Sequence, residues 1–81
     1  MTGRTWRQAD DPGGLEWRNH GFAATVLPAP VRKWLWKVGR GDAGRIEWVL
    51  GGLVASREIA LMAAEEGIDQ LQAASLAVPT H

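Results

Sequence analysis

The residues with the most recognisable motif spacing form a glycine-rich segment, Gly39-Arg40-Gly41-Asp42-Ala43-Gly44, which matches G-x-G-x-x-G. Such a motif binds a pyrophosphate only when it follows a strand and opens a helix, because the amides at the helix N-terminus hold the phosphates. Here residues 45–50 alternate like a strand, and 81 residues leave no room for paired βαβ units. We therefore interpret the segment as a hairpin loop, and the RGD tripeptide within it as coincidence.

Groups that could catalyse a reaction are sparse. The chain has no cysteine and only two histidines, His20 beside a turn and His81 at the end of the sequence. A nucleophile needs an oriented base beside it, and a metal ion needs several convergent ligands. Neither arrangement is suggested by the spacing, and Ser56 is better explained as a helix N-cap. We therefore predict a protein that is not an enzyme and has no cofactor and no metal site.

Charge and tryptophan are unevenly distributed along the chain. The formal net charge is zero, but residues 1–45 carry +4, residues 46–81 carry −4, and all five tryptophans lie within the first 48 residues. The first eleven residues lack the apolar run of a signal peptide, and no apolar stretch approaches the roughly 20 residues of a membrane helix. We expect one cytoplasmic domain, residues 1–81, without a membrane segment.

Hydrophobic periodicity predicts the secondary structure. The strongest strand pattern is at 34–38; similar alternation covers 15–18, 22–27 and 46–50, and a short edge strand is expected at 5–8. Pro28 should end the strand that precedes it. After Gly51-Gly52 the period becomes helical over about 56–75, followed by a loose tail at 76–81. The predicted fold is α+β: an antiparallel meander of three to five strands, over about residues 5–50, with one C-terminal amphipathic helix packed on one face.

The predicted core lies between this helix and one face of the sheet. By alternation, the sheet contributes Trp17, Ala24, Val26, Trp34, Trp36, Val38, Ile46, Trp48 and Leu50. The helix contributes Leu61, Ala64, Ile68 and Leu71. Gly67 falls on the inner side of the helix, where it is expected either to allow close approach to the sheet or to mark a kink.

The other face of the sheet is the first candidate binding surface. Alternation gives it an apolar middle of Leu27, Leu35 and Val49 and a charged rim of Arg18, Lys33, Lys37 and Glu47. An apolar centre with a charged rim is typical of protein interfaces, although scattered apolar residues are also ordinary on an exposed sheet. Trp6 belongs to no core stripe, so it is either a further interface anchor or a cap on the open end of the sheet.

Other surfaces offer alternatives. A basic, tryptophan-containing sheet face is also typical of modules that bind single-stranded nucleic acid, although four of the five tryptophans are predicted to face the core. The helix has an acidic face, which is either simply solvated or a phosphate-mimicking ridge for a basic partner. Its members are Glu58, Glu65, Glu66 and Asp69. A structural homodimer is the remaining alternative.

The order of elements also follows a pattern: a first-strand tryptophan, a small-residue strand, a W-x-W-x-V strand and an Ala-Glu-rich helix that opens with serine. Here the pattern is carried by Trp17, Gly21-Phe22-Ala23, Trp34-Leu35-Trp36-Lys37-Val38, Ser56-Arg57-Glu58 and Ala63-Ala64-Glu65. It resembles a type of small protein common in phages and prophages of GC-rich bacteria, which includes anti-CRISPR proteins. The resemblance implies a non-catalytic inhibitor that docks on a CRISPR effector complex, or on another host protein, in the host cytoplasm. The net charge of zero departs from the acidic composition common among anti-CRISPR proteins, which favours docking over DNA mimicry.

Overall fold

The computed structural model describes residues 5–9, 13–19, 21–42 and 44–76. The described strands are β1 (Arg7–Gln8), β2 (Leu15–Asn19), β3 (Phe22–Ala29), β4 (Lys33–Asp42) and β5 (Arg45–Val54), and helix α1 spans Arg57–Leu76. Each strand pairs antiparallel with the next, so the strand order in the sheet is that of the chain. The predicted α+β meander with a C-terminal helix is confirmed, including a short first strand.

Helix α1 begins where the serine signal predicts. The Ser56 hydroxyl accepts a hydrogen bond from the Ile59 amide at 3.2 Å, and the Ser56 carbonyl accepts one from the Ala60 amide at 3.0 Å. Glu58 lies in the first turn, where a carboxylate favours the helix dipole. This N-cap fixes the point at which the chain leaves the sheet and turns back across it.

The core lies between α1 and one face of β3, β4 and β5. Its largest fully buried side chains are Val26, Val38 and Ile68. The buried cluster consists of Trp17, Ala24, Val26, Val38, Ala60, Ala64, Ile68 and Leu71. Among the half-buried residues that pack against it are Trp34, Trp36, Leu50 and Leu61. Most of the predicted core is therefore confirmed.

The prediction that Trp48 and Ile46 belong to the core is wrong, because β5 contains a bulge. Val38 pairs with Leu50 but Gly39 pairs with Trp48, which leaves Val49 as an extra residue. Side chains alternate along a strand, so one extra residue transfers Trp48 and Ile46 to the sheet face away from the helix. Gly39 permits this close approach, since a Cβ there would clash with the backbone of β5 at residues 47 and 48.

The strands are also longer than predicted. β4 continues through Asp42 and β5 through Gly51 and Gly52 to Val54, so most of the expected 39–44 loop is strand. β3 continues through Pro28, which pairs with Trp34. The register between β2 and β3 reaches only Val26, so Pro28 has a strand neighbour on one side, and its missing N–H is tolerated as at a sheet edge.

Several predictions fall on residues outside those described: the tail beyond residue 76, His20 and His81. For the part of the chain that is described, no helix combines the length and the apolar character needed to span a membrane.

Candidate functional site

The sheet face away from α1, called the open face here, carries a row of leucines. Leu27 of β3 is the direct cross-strand partner of Leu35 of β4, and Leu35 is the partner of Leu53 of β5. Directly opposed side chains on antiparallel strands lie about 4.5–5.5 Å apart at Cβ, so the three leucines form one continuous apolar strip. Leu53 is 62% exposed, and Leu27 and Leu35 are half-buried. We call these three residues the leucine row.

Trp48 lies on the same face and is 40% exposed. The Lys37 Nζ is 4.7 Å from the centroid of its ring, within the range of a cation–π contact. Both side chains line a cavity of about 260 Å³ on this face, together with Arg18, Thr25 and Ile46. The Glu16 carboxylate also lines this cavity, so one concave part of the open face combines an aromatic ring, aliphatic side chains, two cations and one carboxylate.

The charge of the open face is predominantly positive. Glu16 is paired with Arg7, whose guanidinium lies 3.1 Å from the Glu16 Oε2. Within the described residues, no salt bridge engages Arg18, Lys33 or Lys37. The pairing register puts four cations on this face against one carboxylate. Arg7 is the cation paired with Glu16, so the other three leave this face with an excess of positive charge, which attracts an acidic ligand or partner.

Most of the residues predicted for this surface are brought together. Leu27 and Leu35 occupy its middle, Lys33 and Lys37 flank Leu35 along β4, and Arg18 lies farther along the same face, opposite Ala23 on β3. Val49 is the extra residue of the bulge and is exposed. Glu47 pairs with Arg40 beyond the bulge, and alternation turns both toward the helix side, so Glu47 does not belong to the predicted rim.

Trp6 lies apart from the open face. It packs against the core cluster, and its Nε1 donates a hydrogen bond to the Glu65 Oε2 on α1 at 3.1 Å. Of the two alternatives for Trp6, this contact matches the cap and not the exposed anchor. The same hydrogen bond engages the Glu65 carboxylate. Glu65 is half-buried and is not a freely solvated member of the acidic helix face.

The solvent side of α1, called the outer helix face here, is more apolar than predicted. Ile59 is 48% exposed and Met62 is 72% exposed. Exposed carboxylates flank them at Glu58, Glu66 and Asp69. The predicted acidic face therefore also contains apolar area, because residues three and four apart along a helix share one side and Ile59 and Met62 share that of Glu66.

Sequence reasoning missed Trp48 and Leu53 as open-face residues. The available signal was Gly39, because a glycine inside a strand often marks a bulge or a close backbone approach. Among the described residues, no three histidine, aspartate or glutamate side chains converge as a metal-binding group. Comparison of the chain with protein-family models, curated proteins and solved structures gives no match.

Proposed function

We propose that this chain is a small non-catalytic binding protein that docks through its open face on a host protein, most concretely as an anti-CRISPR-like inhibitor of a CRISPR effector complex. The observation that carries the proposal is the leucine row, a continuous apolar strip across β3, β4 and β5 in which Leu53 is exposed and Leu27 and Leu35 are half-buried. Within the described part of the chain, the helix covers the opposite face of the sheet.

The energetics favour docking at the row. Full burial of one exposed leucine side chain is worth about 1.5–3 kcal/mol, so a partner that covers the row gains most from Leu53 and less from the half-buried Leu27 and Leu35. Trp48 adds an aromatic side chain at one end of the same face, and tryptophan is enriched among the residues that dominate interface energies.

The rim indicates what kind of partner fits. Lys33 and Lys37 flank the apolar strip, Arg18 lies farther along the same face, and none of the three has a described carboxylate partner. Complementary potentials accelerate association and disfavour partners of the same charge. The partner surface should therefore be apolar in its middle and acidic at its edge.

The experiment is a plaque assay in bacteria that carry a CRISPR system targeting the infecting phage. Expression of the chain should restore plaques in strains with the susceptible CRISPR type. Leu35→Glu puts a charge in the middle of the row and should abolish this protection. Met62→Glu makes the same chemical change on the outer helix face and should retain it, because the proposed contact is on the other side of the molecule.

Thermal unfolding of both variants verifies that the fold survives. Protection by Leu35→Glu equal to that of the wild-type chain would exclude the open face as the docking surface. If the wild-type chain restores no plaques against any CRISPR type, the anti-CRISPR assignment is rejected.

A second candidate function, binding of single-stranded nucleic acid, is favoured by one observation. Trp48 lies on the cationic face beside Lys37, whereas the sequence predicted it in the core. An exposed aromatic ring beside cations can stack a base while the cations contact phosphates.

A further inference from the structure

The open face and the outer helix face are two opposite sides of one molecule, and their chemistry is complementary. The open face has the leucine row in its middle and an excess of cations around it. The outer helix face has Ile59 and Met62 in its middle and the carboxylates of Glu58, Glu66 and Asp69 around them. Each face therefore has an apolar centre that the described chain leaves uncovered. The charges around the two centres are opposite in sign.

We propose that a second copy of this chain is the occupant of these faces, with the open face of one copy docked on the outer helix face of the next. The apolar centres would be buried against each other, and Lys33 and Lys37 would face the carboxylate side of the neighbouring helix. Complementary charge of this kind fixes orientation and speeds encounter.

This head-to-tail contact differs from the symmetric alternatives. Two open faces placed against each other would bring cations against cations, and two outer helix faces would bring carboxylates against carboxylates, both of which are unfavourable. Pairing through the free edge of β5 is opposed by the bulge at Val49, since bulges twist an edge away from further pairing. The heterologous contact is therefore the favoured mode of self-association.

A heterologous contact does not close on itself after two copies. It leaves an open face at one end of each assembly and an outer helix face at the other, so growth continues to short chains or closes into a ring. The faces are small, so the contact should be weak, like other interfaces of less than about 1,200 Å². Because its charges are exposed, it should weaken as salt shortens the screening length to well below about 10 Å.

The proposal goes beyond docking on a host protein and does not depend on it; because both contacts use the open face, a bound host protein would displace the neighbouring copy. The measurement uses the purified 8.8 kDa chain alone, so its failure leaves the proposed function untouched. In sedimentation velocity at low salt, the average mass should rise progressively above that of the monomer as concentration increases. At about 0.5 M salt the mass should fall back toward the monomer, because exposed charges are then screened within about 3–5 Å.

Two charge-reversed variants test which faces meet. The open-face variant is Lys33→Glu with Lys37→Glu. The outer-helix variant is Glu66→Lys with Gln70→Lys, two exposed positions four residues apart on the same side of α1. Each variant alone should stay monomeric where the wild-type chain associates. An equimolar mixture should associate again, because the acidic open face of one variant then meets the basic helix of the other.

Arg57→Glu is the matched control. It reverses an exposed charge in the first turn of α1, where a carboxylate is favourable, and should leave association unchanged. Circular dichroism and thermal unfolding of each variant establish that it is folded. A wild-type chain that stays monomeric at millimolar concentration and low salt overturns the proposal. The proposal is also overturned if the mixture associates no better than either variant alone. Dimer formation by the open-face variant on its own would overturn it as well.

Discussion

Gly67 of helix α1 lies directly over Trp36 of β4. A Cβ built on the glycine would come within 3.2 Å of the Trp36 Cζ3 and of a Val38 methyl group. The close approach expected for this glycine is therefore present. Because Gly67 has no Cβ, the helix backbone packs directly against the Trp36 ring, which covers this part of the core.

We expect Gly67→Val to destabilise the fold by about 1–3 kcal/mol, because the added side chain has no space against Trp36 and Val38. Helix propensity alone would change stability in the opposite direction, since valine is the better helix former. Urea unfolding gives the difference. Ala73→Val, at an exposed helix position, is the control and should cost only about 0.5 kcal/mol. If Gly67→Val were as stable as the wild type, the helix backbone would not be in close contact with the Trp36 ring.

The two tryptophans Trp36 and Trp48 should differ in their contribution to stability. Trp36 packs against the core cluster, so Trp36→Ala should lower the free energy of unfolding by about 3–5 kcal/mol, which approaches the whole stability of a small domain. Trp48 lies on the open face, so Trp48→Ala should lower it by only about 1 kcal/mol. Equal losses in chemical denaturation would contradict the bulge that separates the two residues.

Whether a feature of the fold could be predicted from the sequence depends on how far apart in the chain the interacting residues lie. Val26, Val38 and Ile68 were correctly assigned to the core because each lies in an uninterrupted strand or helix pattern. Trp48 was misassigned because the bulge arises from how β5 pairs with Gly39, and alternation within one strand carries no information on that pairing. The positive charge of the open face could be predicted for the same reason, because Arg18, Lys33 and Lys37 precede the bulge and follow the local alternation of their strands.

The contact between Trp6 and Glu65 joins residues 59 positions apart, and no local pattern could reveal it. A double-mutant cycle with Trp6→Phe and Glu65→Met, which removes the acceptor oxygens, should give a coupling energy of about 1 kcal/mol, because a hydrogen bond to a charged group is partly screened at this half-buried site. Urea unfolding of the wild type, both single variants and the double variant supplies the four values. Glu65 has another interaction as well, so its single variant should lose more than the coupling energy. Strict additivity would exclude the hydrogen bond as a stabilising contact.

The turn between β3 and β4 should be open to stabilisation. Val31 and Arg32 both have positive φ angles, 62° and 58°, and the Lys33 amide donates to the Pro30 carbonyl across them. Residues 30–33 thus form a β-turn with positive φ at both central residues, as in type I′, for which Asn-Gly is the preferred sequence. Left-handed backbone costs about 1–2 kcal/mol for an ordinary residue.

Val31→Asn combined with Arg32→Gly should therefore raise stability by about 1 kcal/mol, or the Tm by about 4–8 °C for a domain of this size. Val31→Ala is the control. It removes an 85% exposed side chain but keeps the unfavourable backbone, so its Tm should stay near that of wild type. If the Asn-Gly variant does not exceed this control, the turn is not of this type.

The remaining prediction separates protein docking from nucleic-acid binding at the open face. If the face is a protein-docking surface, titration of a labelled single-stranded oligonucleotide at about 50 mM salt should give no affinity tighter than the micromolar range of non-specific phosphate contacts. That weak binding should fall with salt and should be the same for Trp48→Ala, because phosphate attraction needs the cations and not the ring. A nucleic-acid module would instead bind below micromolar concentration, lose about 1–3 kcal/mol on Trp48→Ala through lost base stacking, and lose binding on charge reversal at Arg18, Lys33 and Lys37. Leu35→Glu does not separate the two outcomes, because a carboxylate there would repel phosphate as well as interrupt the row. Trp48→Ala does, since the ring lies beside Lys37 at 4.7 Å and its removal leaves every cation of the face in place.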